Sequence, residues 1–214
     1  VLQLIDVSKV YNGNVVLRSI NFKLESGFAG IYGPNGSGKS TMLKIIAGIE
    51  RPDCGRVVFE GKDIAGKAPE EIAKMGISIV YQIPRPFKNM TVLENVATPF
   101  LLRKSYREAI ESAMEICEFV GLRNKVNLKA GMLSQGELRL LEIGRALATQ
   151  PKLMLLDEPF SGLDVENAKR VRRILRKIKR EGVDAIVTAH RMKLLRDVVD
   201  ISYEMRGGRI AEGR

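Results

Sequence analysis

The stretch VLQLIDV at 1–7 alternates apolar and polar side chains, and VVLRSINFKL at 15–24 does so again. Between them lies YNGN at 11–14. A period of two broken by a Gly-containing turn predicts an N-terminal antiparallel hairpin. FAGIYG at 28–33 is a short apolar run that stops on Gly, the pattern of a buried strand. TMLKIIAGI at 41–49 then changes to helical spacing through Met42, Leu43, Ile46 and Ala47. Further strands are expected at GRVVFEG (55–61) and ISIVYQ (77–82). From Val92 to Val120 the pattern is helical, with Ala109, Ala113, Ile116 and Val120 on one stripe and Gly121 as a stop. LRLLEIGRALAT is a helix ended by Pro151, and KLMLLDEP at 152–159 is a buried strand. VENAKRVRRILRKIKREG turns Val171, Ile174, Leu175 and Ile178 inward and closes at Gly182. DAIVTA is one more buried strand, and ISYEM and RIAEG flank Gly207-Gly208 as a terminal hairpin.

Strands that alternate with helices predict an α/β fold with a mostly parallel, doubly wound sheet. The stretch from about 83 to 133 has no strong strand and is expected to form a small inserted α-helical subdomain. Residues 1–82 and 134–214 would form the core, with the antiparallel β subdomain at the N-terminus. No repeat or Ser/Gly linker divides the chain, so 1–214 reads as a single domain.

Composition narrows the function classes. The 214 residues include two cysteines, Cys54 and Cys117, and one histidine. No paired Cys spacing exists for zinc, and a reducing compartment is the expected setting. No apolar run approaches the ~20 residues needed to cross a bilayer, and no charged-then-apolar leader opens the chain. Hydrophobic content of 45% and charged content of 28% describe a folded domain. The net charge of +10 fits nucleic acid, an anionic membrane surface, a phosphate ligand or no specific partner.

GPNGSGKS from Gly33 to Ser40 fits the spacing G-x-x-x-x-G-K-[ST]. It lies between a predicted strand and a predicted helix. Glycines let the backbone wrap a phosphate with N–H groups pointing inward, and a helix N-terminus favours an anion. Lys39 adds a cation for the terminal phosphates, and the Ser40 hydroxyl is a candidate Mg²⁺ ligand. The pattern predicts a P-loop nucleoside triphosphatase core. LMLLDEP places Asp157 at the carboxyl end of a strand, where doubly wound sheets bind ligands. Asp157 is a candidate for holding Mg²⁺ through water. Glu158 beside it is a candidate to orient or deprotonate the attacking water. Gln82 and His190 also sit at or just past strand ends. That shared placement is the argument that Gln82, Asp157 and His190 converge on one phosphate.

The combination of GPNGSGKST (33–41), Gln82, LSQGE (133–137), LMLLDEP (153–159), SGLD (161–164) and His190 resembles the nucleotide-binding subunits of ATP-binding-cassette (ABC) transporters. The resemblance covers nearly the whole chain. It implies that two such domains, as a homodimer or a heterodimer, pack head to tail around two ATP molecules. Nucleotide would then be held by Tyr11, stacked on adenine, and by Gly33, Pro34, Asn35, Gly36, Ser37, Gly38, Lys39, Ser40 and Thr41. Mg²⁺ would be reached by Ser40, Gln82 and Asp157. Ser134 and Gly136 would contact the γ-phosphate of the partner's ATP, and Asp164 would reach across the interface. Glu158, His190 and Gln82 are the implied catalytic residues. The helical subdomain would dock on membrane permeases, placing the chain in the cytoplasm against the inner face of the cell membrane.

Departures from the family pattern are Gln135, where Gly is most frequent, Arg191, where an acidic residue is common, and a short tail. IAKMGISIVYQIPRPFKNMTVLENV and HRMKLL look like the branched-chain amino acid importer ATPases, whose relatives include lipopolysaccharide-export ATPases. The alternatives are the ATPase of a lipid-export ABC system, or a soluble ABC ATPase acting on nucleic acid or ribosomes. The run of Lys169, Arg170, Arg172, Arg173, Arg176, Lys177, Lys179 and Arg180 would suit that reading, or would simply be a solvated helix face. Soluble relatives usually carry two cassettes or a long insertion, so transport is favoured and nucleic acid is not the expected partner.

Overall fold

The computed structural model describes residues 1–212. Two sheets share the molecule. The first is antiparallel and contains β1 (Leu2–Tyr11), β2 (Asn14–Leu24), β4 (Cys54–Phe59) and β5 (Lys62–Asp63), in the order β2-β1-β4-β5. Its hairpin turns at Asn12 and Gly13, both with positive φ (49° and 81°). Those values suit a two-residue turn matching the twist of the strands. The second sheet contains β3 (Phe28–Tyr32), β6 (Ile77–Val80), β7 (Leu153–Leu156), β8 (Asp184–Ala189), β9 (Ile201–Arg206) and β10 (Arg209–Glu212). Its order is β10-β9-β3-β8-β7-β6, and every pairing is parallel except β9 with β10.

Among the described residues six α-helices accompany this second sheet: α1 (Lys39–Ile46), α2 (Pro69–Lys74), α3 (Val92–Ala97), α4 (Tyr106–Phe119), α5 (Gln135–Ala148) and α6 (Val165–Arg180). The strands show why the sheet is covered on both sides. In β7, Met154 and Leu156 join one core while Leu153 and Leu155 join the other. In β8, Ala185, Val187 and Ala189 face the first core and Ile186 faces the second. This is the period-two alternation of a pleated strand, with both faces apolar because both are buried. The first core takes side chains from α3, α4, α5 and α6. The second takes them from α1, α2 and the antiparallel sheet. On α6 the inward residues are Val171, Ile174, Leu175 and Ile178, as the spacing predicts.

Three differences from the sequence pattern have physical causes. The helical stretch 92–120 is two helices joined by a 3-10 turn at Phe100–Leu102. Pro99 cannot continue the hydrogen-bond ladder, and Ser105 caps a new helix by accepting from the Glu108 N–H while Glu108 accepts from the Ser105 N–H. Helix α1 begins at Lys39, two residues ahead of the apolar spacing. Helix α2 and strand β5 are too short to show a period and lie between the strands expected at 55–61 and 77–82, where the pattern assigns no element. Gly213, expected at the end of the terminal strand, lies outside the described residues.

Replacing Leu155, fully buried in the central strand, by Ala is expected to cost about 2–5 kcal/mol in urea unfolding. The same change at Leu102, 85% exposed, is expected to stay within about 0.5 kcal/mol.

Candidate active site

The loop from Gly33 to Gly38 leaves the carboxyl end of β3 and runs directly into α1. Gly38 precedes the helix with φ 108°, and a Cβ there would press on the Leu17 side chain and the Val16 carbonyl. Only glycine fits that conformation in that space. No side chain caps α1, and its first turn contains no acidic residue. Its N-terminal N–H groups therefore have no side-chain acceptor, and an anion is their natural partner. The Ser37 hydroxyl beside them is buried without a hydrogen-bond partner.

Lys39 is 4% exposed. Its Nζ donates to the carbonyls of Gly33 (2.8 Å) and Pro34 (3.0 Å) and lies 3.5 Å from Glu158 Oε1. A cleft of about 430 Å³ opens over this group, lined by Tyr11, Val16, Asn35, Gly36, Ser37, Gly38, Lys39, Ser40, Thr41, Gln82 and Glu158. Lys9 Nζ sits 5.3 Å from the centre of the half-exposed Tyr11 ring. A second cavity of about 430 Å³ shares Asn35, Gln82 and Glu158 and adds Pro34, Ser161 and the exposed His190. The predicted phosphate-loop residues from Pro34 to Thr41, with Tyr11, Gln82, Glu158 and His190, thus surround adjoining cavities, while Gly33 lines neither. Gln82 Nε2 donates to Glu158 Oε2 at 3.4 Å.

Asp157 lines neither cavity. It is buried directly behind Glu158, with its N–H on the Val80 carbonyl (2.9 Å) and Oδ1 accepting from Thr188 Oγ1 (2.8 Å). Glu158 has φ 45°, a left-handed backbone that costs a side-chain-bearing residue about 1–2 kcal/mol. That turn brings the carboxylate round to Lys39.

Ser134, Gly136 and Asp164 lie apart from these cavities. Ser134 caps α5, receiving the Glu137 N–H while Glu137 Oε2 accepts the Ser134 N–H (2.9 Å). Burial raises the Glu137 pKa, but Lys125 and the Ser134 hydrogen bonds outweigh it and hold the carboxyl below its usual range. Gly136 is buried against Asn167, whose side chain a Cβ would strike. Asn167 in turn donates its N–H (2.8 Å) and Nδ2 (2.7 Å) to Asp164. These bonds, the backbone one first, hold the Asp164 pKa low. The result is a helix end capped by its own side chains beside an acidic residue, with none of the three residues lining either cavity.

Sequence reasoning missed the residues that tie these parts together. Arg139 of α5 is buried and donates to the carbonyls of Tyr81 (2.6 Å) and Gln82 (2.5 Å). Burial pulls its pKa down, opposed by the charges of Glu142 and Asp157. Arg145 donates to the Arg85 carbonyl (2.9 Å) and covers the Phe87 ring at 4.9 Å. The signal was a charged residue on the inward side of an amphipathic helix. Asn167 and Thr188 gave weaker signals, a polar residue in a helix start and a hydroxyl in an apolar strand.

A phosphate loop at the carboxyl end of β3, facing Glu158 at the carboxyl end of β7 two strands away, is the layout of a P-loop nucleoside triphosphatase. Residues 17–161 match the family profile described as ABC transporter. A probable branched-chain amino acid transport ATP-binding protein of Archaeoglobus fulgidus is 36% identical, covering 100% of this chain and 89% of that protein. One of the same description from Methanocaldococcus jannaschii is 40% identical, covering 86% and 77%. A solved dimeric ATP-binding cassette in a post-hydrolysis state, bound to ADP and Pi, superposes with TM-score 0.90 at 27% identity, covering 100% of this chain and 98% of that one. The chain belongs to the ABC transporter family and is its ATP-binding, ATP-hydrolysing subunit.

Replacing Arg139 by Met removes the donors to two loop carbonyls. Equilibrium unfolding in urea is expected to show a loss of about 1–3 kcal/mol. Arg139→Lys is expected to recover only part of it, because an ammonium cannot reproduce the planar fork.

Proposed function

We propose that this ATPase drives import of branched-chain amino acids as a head-to-tail dimer bound to membrane permease subunits. The observation that carries the dimer is the division of the site. Most of the phosphate loop, Gln82, Glu158 and His190 line adjoining cavities, whereas Ser134, Gly136 and Asp164 line neither. A second copy would bring its α5 N-terminus to the γ-phosphate held by the first. The dimeric form of the ADP-bound cassette supports this reading. The cargo reading rests on the description of the two relatives from archaea.

Each residue then has a task. Tyr11 stacks on the base. The α1 N–H groups and Lys39 neutralise the β- and γ-phosphates, exchanging the Gly33, Pro34 and Glu158 contacts for phosphate oxygens. Ser134 and Gly136 close the far side, and His190 holds the γ-phosphate. Glu158 orients the attacking water and accepts its proton. Ser40, Gln82 and Asp157 would hold Mg²⁺, which neutralises phosphate charge when bound. The donor set fits that ion: the hard oxygen donors of Ser40 and Gln82 line one cleft, and Asp157 is buried next in the chain to Glu158 of the same lining. Mg²⁺ characteristically takes few protein ligands and completes its shell with phosphate and water.

Docking to a permease is supported by the helical segment 83–133, which we take as a subdomain. Ile83, Phe87, Leu101, Leu102 and Tyr106 are exposed apolar residues in or beside it. A groove of about 340 Å³ nearby is lined by Ile49, Ile79, Tyr81, Arg85 and Pro99, among others. Among the described residues no helix is long and apolar enough to cross a membrane. Attachment through a partner would place the chain on the cytoplasmic face of the cell membrane. The basic helix α6 offers little support for nucleic acid. Arg172 and Arg176 bond the carbonyls of Leu194 and Asp197, and Lys179 pairs with Asp200.

Glu158→Gln is expected to lower ATP turnover by about 10²–10⁴-fold, the range for a general base. With the carboxylate's proton-accepting capacity gone, ATP should hold the dimer closed. Light scattering should show an ATP-dependent dimer of the variant, and a variant that stays monomeric with saturating ATP would rule out the sandwich.

A further inference from the structure

Strand β8 is apolar through Ala185, Ile186, Val187 and Ala189, and Thr188 interrupts it with a fully buried hydroxyl. Buried hydroxyls are hydrogen-bonded, and this one is bonded to both acidic residues of the site. The Glu158 N–H donates to Oγ1 at 2.9 Å. Oγ1 lies 2.8 Å from Asp157 Oδ1, with the Leu156 carbonyl farther off at 3.5 Å. A hydroxyl has one proton to give and lone pairs to receive. A lone pair takes the Glu158 N–H, so the proton goes to Asp157 Oδ1, the nearer acceptor. The chain of bonds therefore has a direction, from the Glu158 backbone through Thr188 to the Asp157 carboxylate.

Both ends of that chain need holding. Glu158 keeps a left-handed backbone (φ 45°), which persists only where its surroundings fix it. Asp157 is buried beside the site, and a carboxylate that reaches the metal only through water has to keep one rotamer to do so. Thr188 is well placed to fix both, because β8 is hydrogen-bonded to β3 on one side and β7 on the other. It lines neither of the two cavities and so acts through its neighbours.

We propose that Thr188 is a positioning residue for hydrolysis. Its hydroxyl locks the Asp157 carboxylate and the Glu158 backbone as one unit, keeping the metal-side and water-side groups at a fixed separation. The proposal rests on the roles given above to Asp157 and Glu158. A valine at 188 would keep the volume and strand packing but strip the Glu158 N–H of its acceptor and Asp157 Oδ1 of a donor.

The test measures ATP turnover by the full chain and its Thr188→Val, Thr188→Ser and Thr188→Ala variants. Each is assayed for kcat, KM for ATP and the Mg²⁺ concentration for half-maximal rate. Displacing a reacting group by about 1 Å costs on the order of 10²-fold, so Thr188→Val is expected to lower kcat about 10- to 100-fold. Its Mg²⁺ requirement should rise while KM for ATP stays within about threefold. Thr188→Ser should keep most of the wild-type rate, and Thr188→Ala should match Val. Wild-type kcat in Thr188→Val, or Ser as slow as Ala, would overturn the proposal. Should Val fail to fold, Ser against Ala decides alone, since they differ only by the hydroxyl. Asp157→Asn and Glu158→Gln run alongside. If both keep the wild-type rate, the roles on which the proposal rests are wrong; if both lose it while Thr188→Val does not, the Thr188 assignment alone is wrong.

Discussion

A cation that is 4% exposed cannot stand alone, and much of this fold is arranged around that requirement at Lys39. Removing an ammonium from water costs several kcal/mol unless oxygen atoms replace the lost hydration. Here they come from the Gly33 and Pro34 carbonyls and from Glu158. Carbonyls can turn toward Lys39 because the loop is glycine-rich. Glu158 can reach it because its backbone takes a left-handed turn at the end of β7. The same group is the right one to meet a triphosphate, whose oxygens can take over from those partners. The charge that is awkward to bury is therefore the charge that recognises the ligand.

Parallel order in the sheet does the rest of the positioning. Strands β3, β6, β7 and β8 all run the same way, so their carboxyl ends deliver the phosphate loop, Gln82, Asp157–Glu158 and His190 to one edge. Arg139 then connects that edge to the rest of the molecule. It bonds the backbone at Gln82 from the helix whose first turn contains Ser134 and Gly136. The phosphate-loop side and the α5 N-terminus are thus mechanically joined within one chain. A shift at Gln82 on nucleotide binding has a direct route to α5.

The sheet and the main helices were legible because their periods are long and regular: four-residue apolar strands and a 16-residue amphipathic α6 leave little ambiguity. The phosphate loop was legible because its residue types are dictated by phosphate geometry. The break between α3 and α4 was obscured because apolar spacing continues through it, although Pro99 and the Ser105 cap mark it. Positions such as Arg139, Asn167 and Thr188 were not legible as site residues. Their roles come from contacts across 30 to 58 positions of chain, and no local pattern records those contacts. What a sequence shows well is a group that touches the ligand through a motif; a group that holds another group in place shows only as an oddity in an otherwise regular element.

In the head-to-tail dimer proposed above, a working site needs the phosphate loop of one chain and the α5 end of another. The most direct measurement mixes two inactive variants, Lys39→Ala and Ser134→Asp, and follows ATP hydrolysis. Asp at 134 keeps the helix cap but sets a negative charge against the anion. In a head-to-tail dimer each variant alone has two damaged sites. A mixed dimer has one site in which both halves are intact, so hydrolysis should appear on mixing where neither variant shows any. A mixture as inactive as its components, with mixed dimers demonstrably formed, would contradict the account.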